Sequence, residues 1–264
     1  MAKNKTKRLA CIISAWHYPL YFYDRLVRQK IPKGWSVDYF AISHRDPQFA
    51  IEEKRTKVLG NSKRENLDKI LYQEMATVKD IERLGITYIE KPNTIGDWGN
   101  SNQWLEDYDY KKYDLFLFTH DDNLILNGDW FKDIIEDEAF DDWEILANST
   151  GMPQGTVRGS CEFFKKSFMD KIGGKFDLSE VTLTREGKTT VSEDIHELYD
   201  WNYTLYPLMR FIEENDIKVG YLSPSYRVSA YVIEGERGYI SNTHGANTAE
   251  EEKGITFLAE KGII

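Results

Sequence analysis

The chain has 264 residues, with 34 Lys+Arg against 44 Asp+Glu and a formal net charge of −10. An apolar content of 41%, with 13 Phe, 7 Trp and 16 Tyr, is enough to build a buried core and excludes a disordered chain. Two cysteines, Cys11 and Cys161, exclude a disulfide framework; no apolar run approaches the roughly 18 residues of a membrane span, and the acidic balance disfavours bulk nucleic-acid binding, which needs a basic footprint.

Residues 1–8 read as a basic tail. The apolar run that follows contains Ser14 and stops at His17-Tyr18-Pro19 with no small-residue cleavage site. It therefore reads as a buried strand over 9–15 rather than a secretory leader. Lone cysteines in apolar surroundings suit a reducing, cytoplasmic setting. Residues 20–29 are a helix candidate and 36–42 a second strand. The spacing of Leu67, Ile70, Leu71, Val78, Ile81 and Leu84 predicts one long helix over 65–84, stopped by Gly85. Residues 86–89 are a third strand. Residues 114–118 are a fourth, apolar on both faces as a central strand of a parallel sheet would be. A helical pattern runs over 195–215, and 217–224 closes the core. No linker or internal repeat divides the chain. The expectation is one domain: a core over 9–224 and a C-terminal extension over 225–264 packed on it.

Strands alternating with helices imply βαβ units and an α/β sandwich. Ligands of such sheets sit beyond the carboxyl ends of the strands. The segments of interest are therefore 14–17, 43–46, 91–93 and 119–123. In the last of these, Thr119-His120-Asp121-Asp122-Asn123 delivers two consecutive carboxylates from a buried strand. Like charges at one site repel unless a cation offsets them, and hard divalent ions take oxygen ligands. A solvated turn is the plainer alternative for the same string.

Further strings accompany the acidic pair in order. Asn93, Gly96, Gly99 and Asn102 follow the third strand and lead into a helix. Gly173-Gly174-Lys175-Phe176-Asp177 comes next, and Ser192-Glu193-Asp194 opens the helical pattern at Ile195. In this order the chain resembles the family 2 glycosyltransferases of the GT-A fold over roughly residues 9–224. The resemblance implies a Rossmann-like, mostly parallel sheet flanked by helices, and a hexosyltransferase that moves a sugar from a nucleotide-sugar, by default a UDP-sugar, to a hydroxyl acceptor with inversion. It implies Mn²⁺ or Mg²⁺ on the donor diphosphate, with Asp122 the leading ligand and Asp121 a ribose or second metal contact. Asp194 becomes the general base, with Glu193 its rival. Ser14, Trp16, Asp46, Asn93, Gly96 and Asn102 become donor contacts, and His244 a late additional metal ligand.

Two strings depart from the family pattern. His120 stands at the first position of the usual acidic triplet, and the stretch after the second strand is Ser43-His44-Arg45-Asp46. Trp98 suits a core better than a donor pocket, while Trp201 and Tyr203 suit either an acceptor sugar or the core. The acidic run over 136–142 and the basic cluster over 54–64 read as solvated surface. A sugar-1-phosphate nucleotidyltransferase is the first rival reading, and it would want a Gly-rich, basic loop after the first strand. A non-catalytic carbohydrate-binding relic is the second, and it would have no need of Asp194. The acceptor, whether glycan, lipid-linked sugar, protein or modified base, is not legible.

Overall fold

The computed structural model describes residues 6–43, 74–92, 96–121, 125, 129–147, 157, 161–179, 184–185, 188–189, 206–221, 228–229 and 232–233. Strand β1 (Lys7–Ala15) leads through helix α1 (Leu20–Val27) to β2 (Trp35–Ser43). Helix α2 (Val78–Arg83) precedes β3 (Ile86–Glu90), and α3 (Gly96–Asp107) precedes β4 (Leu115–His120). Helix α4 (Trp130–Ile135), β5 (Ile145–Ala147), β6 (Cys161–Lys165), α5 (Lys166–Lys171), α6 (Tyr206–Glu214) and β9 (Val219–Tyr221) complete the sandwich. Two small hairpins lie outside the main sheet: β7 (Thr184–Arg185) with β8 (Lys188–Thr189), and β10 (Val228–Ser229) with β11 (Val232–Ile233).

The seven-stranded sheet has the order β3-β2-β1-β4-β6-β5-β9. Its pairings are parallel except at β6, which runs antiparallel to both β4 and β5. This is the mixed α/β sandwich that the alternating elements predict. The side chains of β1 alternate between the two faces. Leu9, Cys11, Ile13 and Ala15 join Phe22, Leu26, Leu117, Phe131 and Phe163 on one side. Ala10 and Ile12 join Trp104, Phe116, Phe118, Phe168, Phe176, Leu208 and Ile212 on the other. Both cysteines are fully buried, as expected, and burial pushes their thiols up.

The predicted helix over 65–84 is corrected in the part that is described. Residues 74–77 are not helical: Met75 bridges Pro19 and the Ala76 N–H donates to the Tyr18 carbonyl at 2.7 Å. The helix starts only at Val78, because Thr77 and Asp80 form a reciprocal capping box there. Strands β5 and β6 are additions to the elements read from sequence. The pattern over 195–215 is helical at 206–214, and 195–205 lie outside the described residues. The acidic run forms an exposed turn of 3-10 helix, Glu138–Asp142.

Candidate active site at the switch point of the sheet

The sheet order reverses between β1 and β4. From β1 the chain proceeds outward to β2 and β3, then crosses back over β1 to reach β4. The crevice beyond the carboxyl ends of β1 and β4 is therefore the place where a ligand fits an open α/β sheet. Ser14 pairs with His120 in the β1–β4 register, so the ends of both strands meet there.

Asp121 is the first residue beyond β4 and is 0% exposed. Its carboxylate points inward, into the loop that leaves β1. It accepts the backbone N–H of Trp16 at 3.0 Å, of His17 at 2.9 and 3.0 Å, and of Tyr18 at 2.7 Å. The Tyr23 hydroxyl, from α1, donates to it at 3.0 Å. Burial, followed by the Asp121 charge, pushes the Tyr23 phenol up, so it stays protonated and donating. In return the Asp121 N–H donates to the Ser14 carbonyl at 3.2 Å. Consecutive backbone N–H groups wrapped around an anion form a nest, and here the anion is supplied by the chain itself. The expected ribose or second metal contact at Asp121 thus has an inward geometry. Trp16 and His17 are half-buried at the rim.

The loop is fixed from the other side as well. Tyr18 has φ 56, a left-handed conformation that costs a non-glycine residue about 1–2 kcal/mol. Its hydroxyl hydrogen-bonds Ser43 at the end of β2. The Lys91 N–H, just beyond β3, donates to the Ser43 carbonyl at 2.9 Å. Polar contacts thereby link the carboxyl ends of β1, β2, β3 and β4.

Asn102, expected among the donor contacts, lies inside α3 and is 5% exposed. Its amide clamps the backbone of Phe176. Nδ2 donates to the Phe176 carbonyl at 2.9 Å, and the Phe176 N–H donates to Oδ1 at 2.9 Å. Two of the sequence strings are therefore one structural unit. Gly173 and Gly174, with φ 69 and φ 72, end α5 and turn the chain back. The Gly174 N–H reaches the Met169 carbonyl at 2.8 Å, a Schellman-type closure. Phe176 then packs against Trp98, Phe118 and Phe164, which makes Trp98 the core residue its composition suggested. A groove of about 600 Å³ runs alongside, lined by Gly99, Gln103, Glu106, Lys175 and Asp177 among others.

The remaining sequence candidates are placed as follows. Ser14 is half-buried at the end of β1, and Gly96 is the first residue of α3. Asp46, Asn93, Asp122, Glu193, Asp194 and His244 lie outside the described residues, as do Trp201, Tyr203 and the basic cluster. Among the described residues no three His, Cys, Asp or Glu side chains converge in a metal-binding group. Asp121 turns its carboxylate to the backbone of residues 16–18. The next acid in the chain, Asp122, is the oxygen ligand that would fit a hard divalent ion.

Glu162 was not singled out from the sequence. It is 1% exposed in β6, opposite Phe118, and accepts the Cys161 N–H at 3.0 Å. A carboxylate within the apolar string Cys161-Glu162-Phe163-Phe164 is the signal that could have found it, since buried acids are rare unless bonded.

No protein-family model and no curated protein matches the chain. Among the described residues no helix is long and apolar enough to cross a membrane. Solved structures with a similar course include a mannosyltransferase from Pyrobaculum calidifontis in complex with GDP-Man and Mn²⁺, at 10% identity and a TM-score of 0.45. That likeness covers 89% of this chain and 56% of the other. TarS 1–349 of S. aureus in complex with UDP is similar at 15% identity and a TM-score of 0.44, over 83% of this chain and 58% of that one. The 4-diphosphocytidyl-2C-methyl-D-erythritol synthase of Anaerococcus prevotii is similar at 11% identity and a TM-score of 0.45, over 97% of each chain. This chain thus spans a little over half the length of the two glycosyltransferase structures, and its functional reading rests on its own residues.

Proposed function

We propose that this protein is a metal-dependent, inverting glycosyltransferase of the GT-A type, with a nucleotide-sugar donor, by default a UDP-sugar, and a hydroxyl acceptor. The observation that carries this reading is the buried central strand β4, which ends at the switch point of the sheet with Asp121 directly beyond it and Asp122 next in sequence. The Asn93–Asn102 and Gly173–Asp177 strings stand in family order around it.

In this mechanism Trp16, Ser14, Asp46 and Asn93 hold the nucleoside along the carboxyl edge. Gly96 begins α3 and allows the donor close to the backbone. Asp122, with His244 as a further ligand, would hold Mn²⁺ or Mg²⁺, which would offset charge on the leaving diphosphate. Asp194 accepts the acceptor hydroxyl proton while that oxygen attacks the anomeric carbon. The carbon–diphosphate bond breaks as the new glycosidic bond forms, which inverts the centre. Glu193 stands beside the base.

The inward nest also weighs against the nucleotidyltransferase reading. A loop that cradles a triphosphate needs outward N–H groups, whereas those of residues 16–18 face Asp121. UDP release from a panel of UDP-sugars with Mn²⁺ and simple glycan acceptors tests the proposal. Sugar-dependent release supports it. Pyrophosphate formation from a nucleoside triphosphate and a sugar 1-phosphate would overturn it.

A further inference from the structure

We propose that Asp121 is a positioning residue, the built-in anion of a backbone nest that shapes the β1–α1 loop at the ligand edge of the sheet. The consequence for binding rests on the glycosyltransferase reading above; the nest itself does not.

Four donors converge on one carboxylate. Oδ2 accepts the N–H groups of Trp16, His17 and Tyr18 and the hydroxyl of Tyr23, and Oδ1 shares the His17 N–H. Only an acceptor-only group suits such a set, and an ionised carboxylate is the side chain with that property. The loop has a corresponding shape. Tyr18 takes a left-handed φ of 56, which turns the chain after it toward Pro19 and α1, while its own N–H and the two before it meet at one carboxylate. Successive backbone amides in a turn gather round an anion in this way. A strained conformation persists only where its surroundings over-determine it. Here Asp121 holds the amides, Ser43 holds the Tyr18 hydroxyl, and Ala76 holds the Tyr18 carbonyl.

The ligand edge is assembled by this arrangement. Trp16 and His17 stand at the rim because their amides are anchored beneath them. The oxygens that anchor them belong to a residue with no exposed surface. Asp121 thus acts on a donor through the loop rather than by touching it.

Three variants test this: Tyr23→Phe, Asp121→Asn and Asp122→Asn. The first readout is native-state amide exchange at residues 16–18, followed by NMR. In the unmodified protein these loop amides should be as protected as those of β1. Tyr23→Phe removes one donor without changing shape, and should speed their exchange by about tenfold, since one hydrogen bond is worth roughly that factor, with no change at β3 or α5. The second readout is UDP affinity, measured with Mn²⁺ and again with EDTA. Tyr23→Phe should weaken UDP several-fold in both conditions and keep the gain that Mn²⁺ gives. Asp122→Asn should abolish that gain and leave the amides protected. Asp121→Asn, where it folds, should resemble a stronger Tyr23→Phe. Fast exchange at 16–18 in the unmodified protein would overturn the nest. So would loss of the Mn²⁺ gain in Tyr23→Phe, because Asp121 would then be acting on the metal. Protected amides in a protein that binds no UDP at all would uphold the nest and sink the nucleotide reading.

Discussion

Replacing Asn102 by alanine separates a contact with ligand from a contact with the chain. The side chain makes two hydrogen bonds of 2.9 Å to the backbone of Phe176, one in each direction. Both ends are buried: Asn102 is 5% exposed and Phe176 is 2% exposed. Alanine cannot replace either bond, and the cavity it leaves does not satisfy the Phe176 N–H and carbonyl. An unsatisfied buried backbone group costs about 1–3 kcal/mol. The two together should cost roughly 2–4 kcal/mol, allowing for partial relaxation toward water. For a chain of this size that lowers Tm by roughly 4–8 °C. Differential scanning calorimetry with urea titration measures the effect. UDP affinity, extrapolated to conditions where the variant is fully folded, should fall less than tenfold. A variant within about 0.5 kcal/mol of the parent that nonetheless loses UDP binding would refute the clamp and make Asn102 a direct donor contact.

Gly174→Ala should destabilise by about 2–4 kcal/mol, because φ is positive and the new Cβ would lie 2.3 Å from the Tyr110 ring. Adding Tyr110→Ala should recover the packing part but not the backbone part, as read by urea denaturation. At the start of α2, the Thr77 side chain and backbone hold the Asp80 carboxyl below its usual range. The folded value is depressed, so this contribution is present above the unfolded value of about 3.9 and is lost as pH falls through the folded one. Thr77→Val should raise the Asp80 pKa toward that ordinary value in a carboxyl-carbon NMR titration, and an unmoved titration would remove Thr77 as the cause. Asp194→Asn should lower turnover by about 10²–10⁴-fold, the usual weight of a general base, with UDP affinity nearly unchanged. Normal turnover there, with loss in Glu193→Gln, would shift the base by one residue.

The legible part of the fold was the part written in local pattern. Strands β1 to β4 were read within two residues of their ends, because each is a short apolar run flanked by polar turns. Strands β5 and β6 were missed as strands. The first has three residues, too few for a period, and the second is broken by the charge of Glu162. The long helix was over-read because its apolar spacing persists through residues 74–77, where pairing with the β1–α1 loop overrides it. At the site, the position of Asp121 followed from the strand before it, but its direction did not. A side chain bonded to residues more than a hundred positions away leaves no local trace. Asn102 was singled out for its place in a string, whereas its partner is another string, and nothing in the spacing says that two strings touch.

The nest also sets an order of events during folding. Its backbone donors lie 103 to 105 residues before its acceptor, and contacts of such separation are among the slower to form. A nascent chain that has released β1, β2 and β3 already holds three neighbouring strands of the sheet, but not the carboxylate that turns residues 16–18. The rim of the crevice therefore takes its final form only when β4 docks beside β1. Pulse-labelled exchange during refolding should find the amides of Trp16, His17 and Tyr18 becoming protected together with β4, and later than the pairing of β1 with β2.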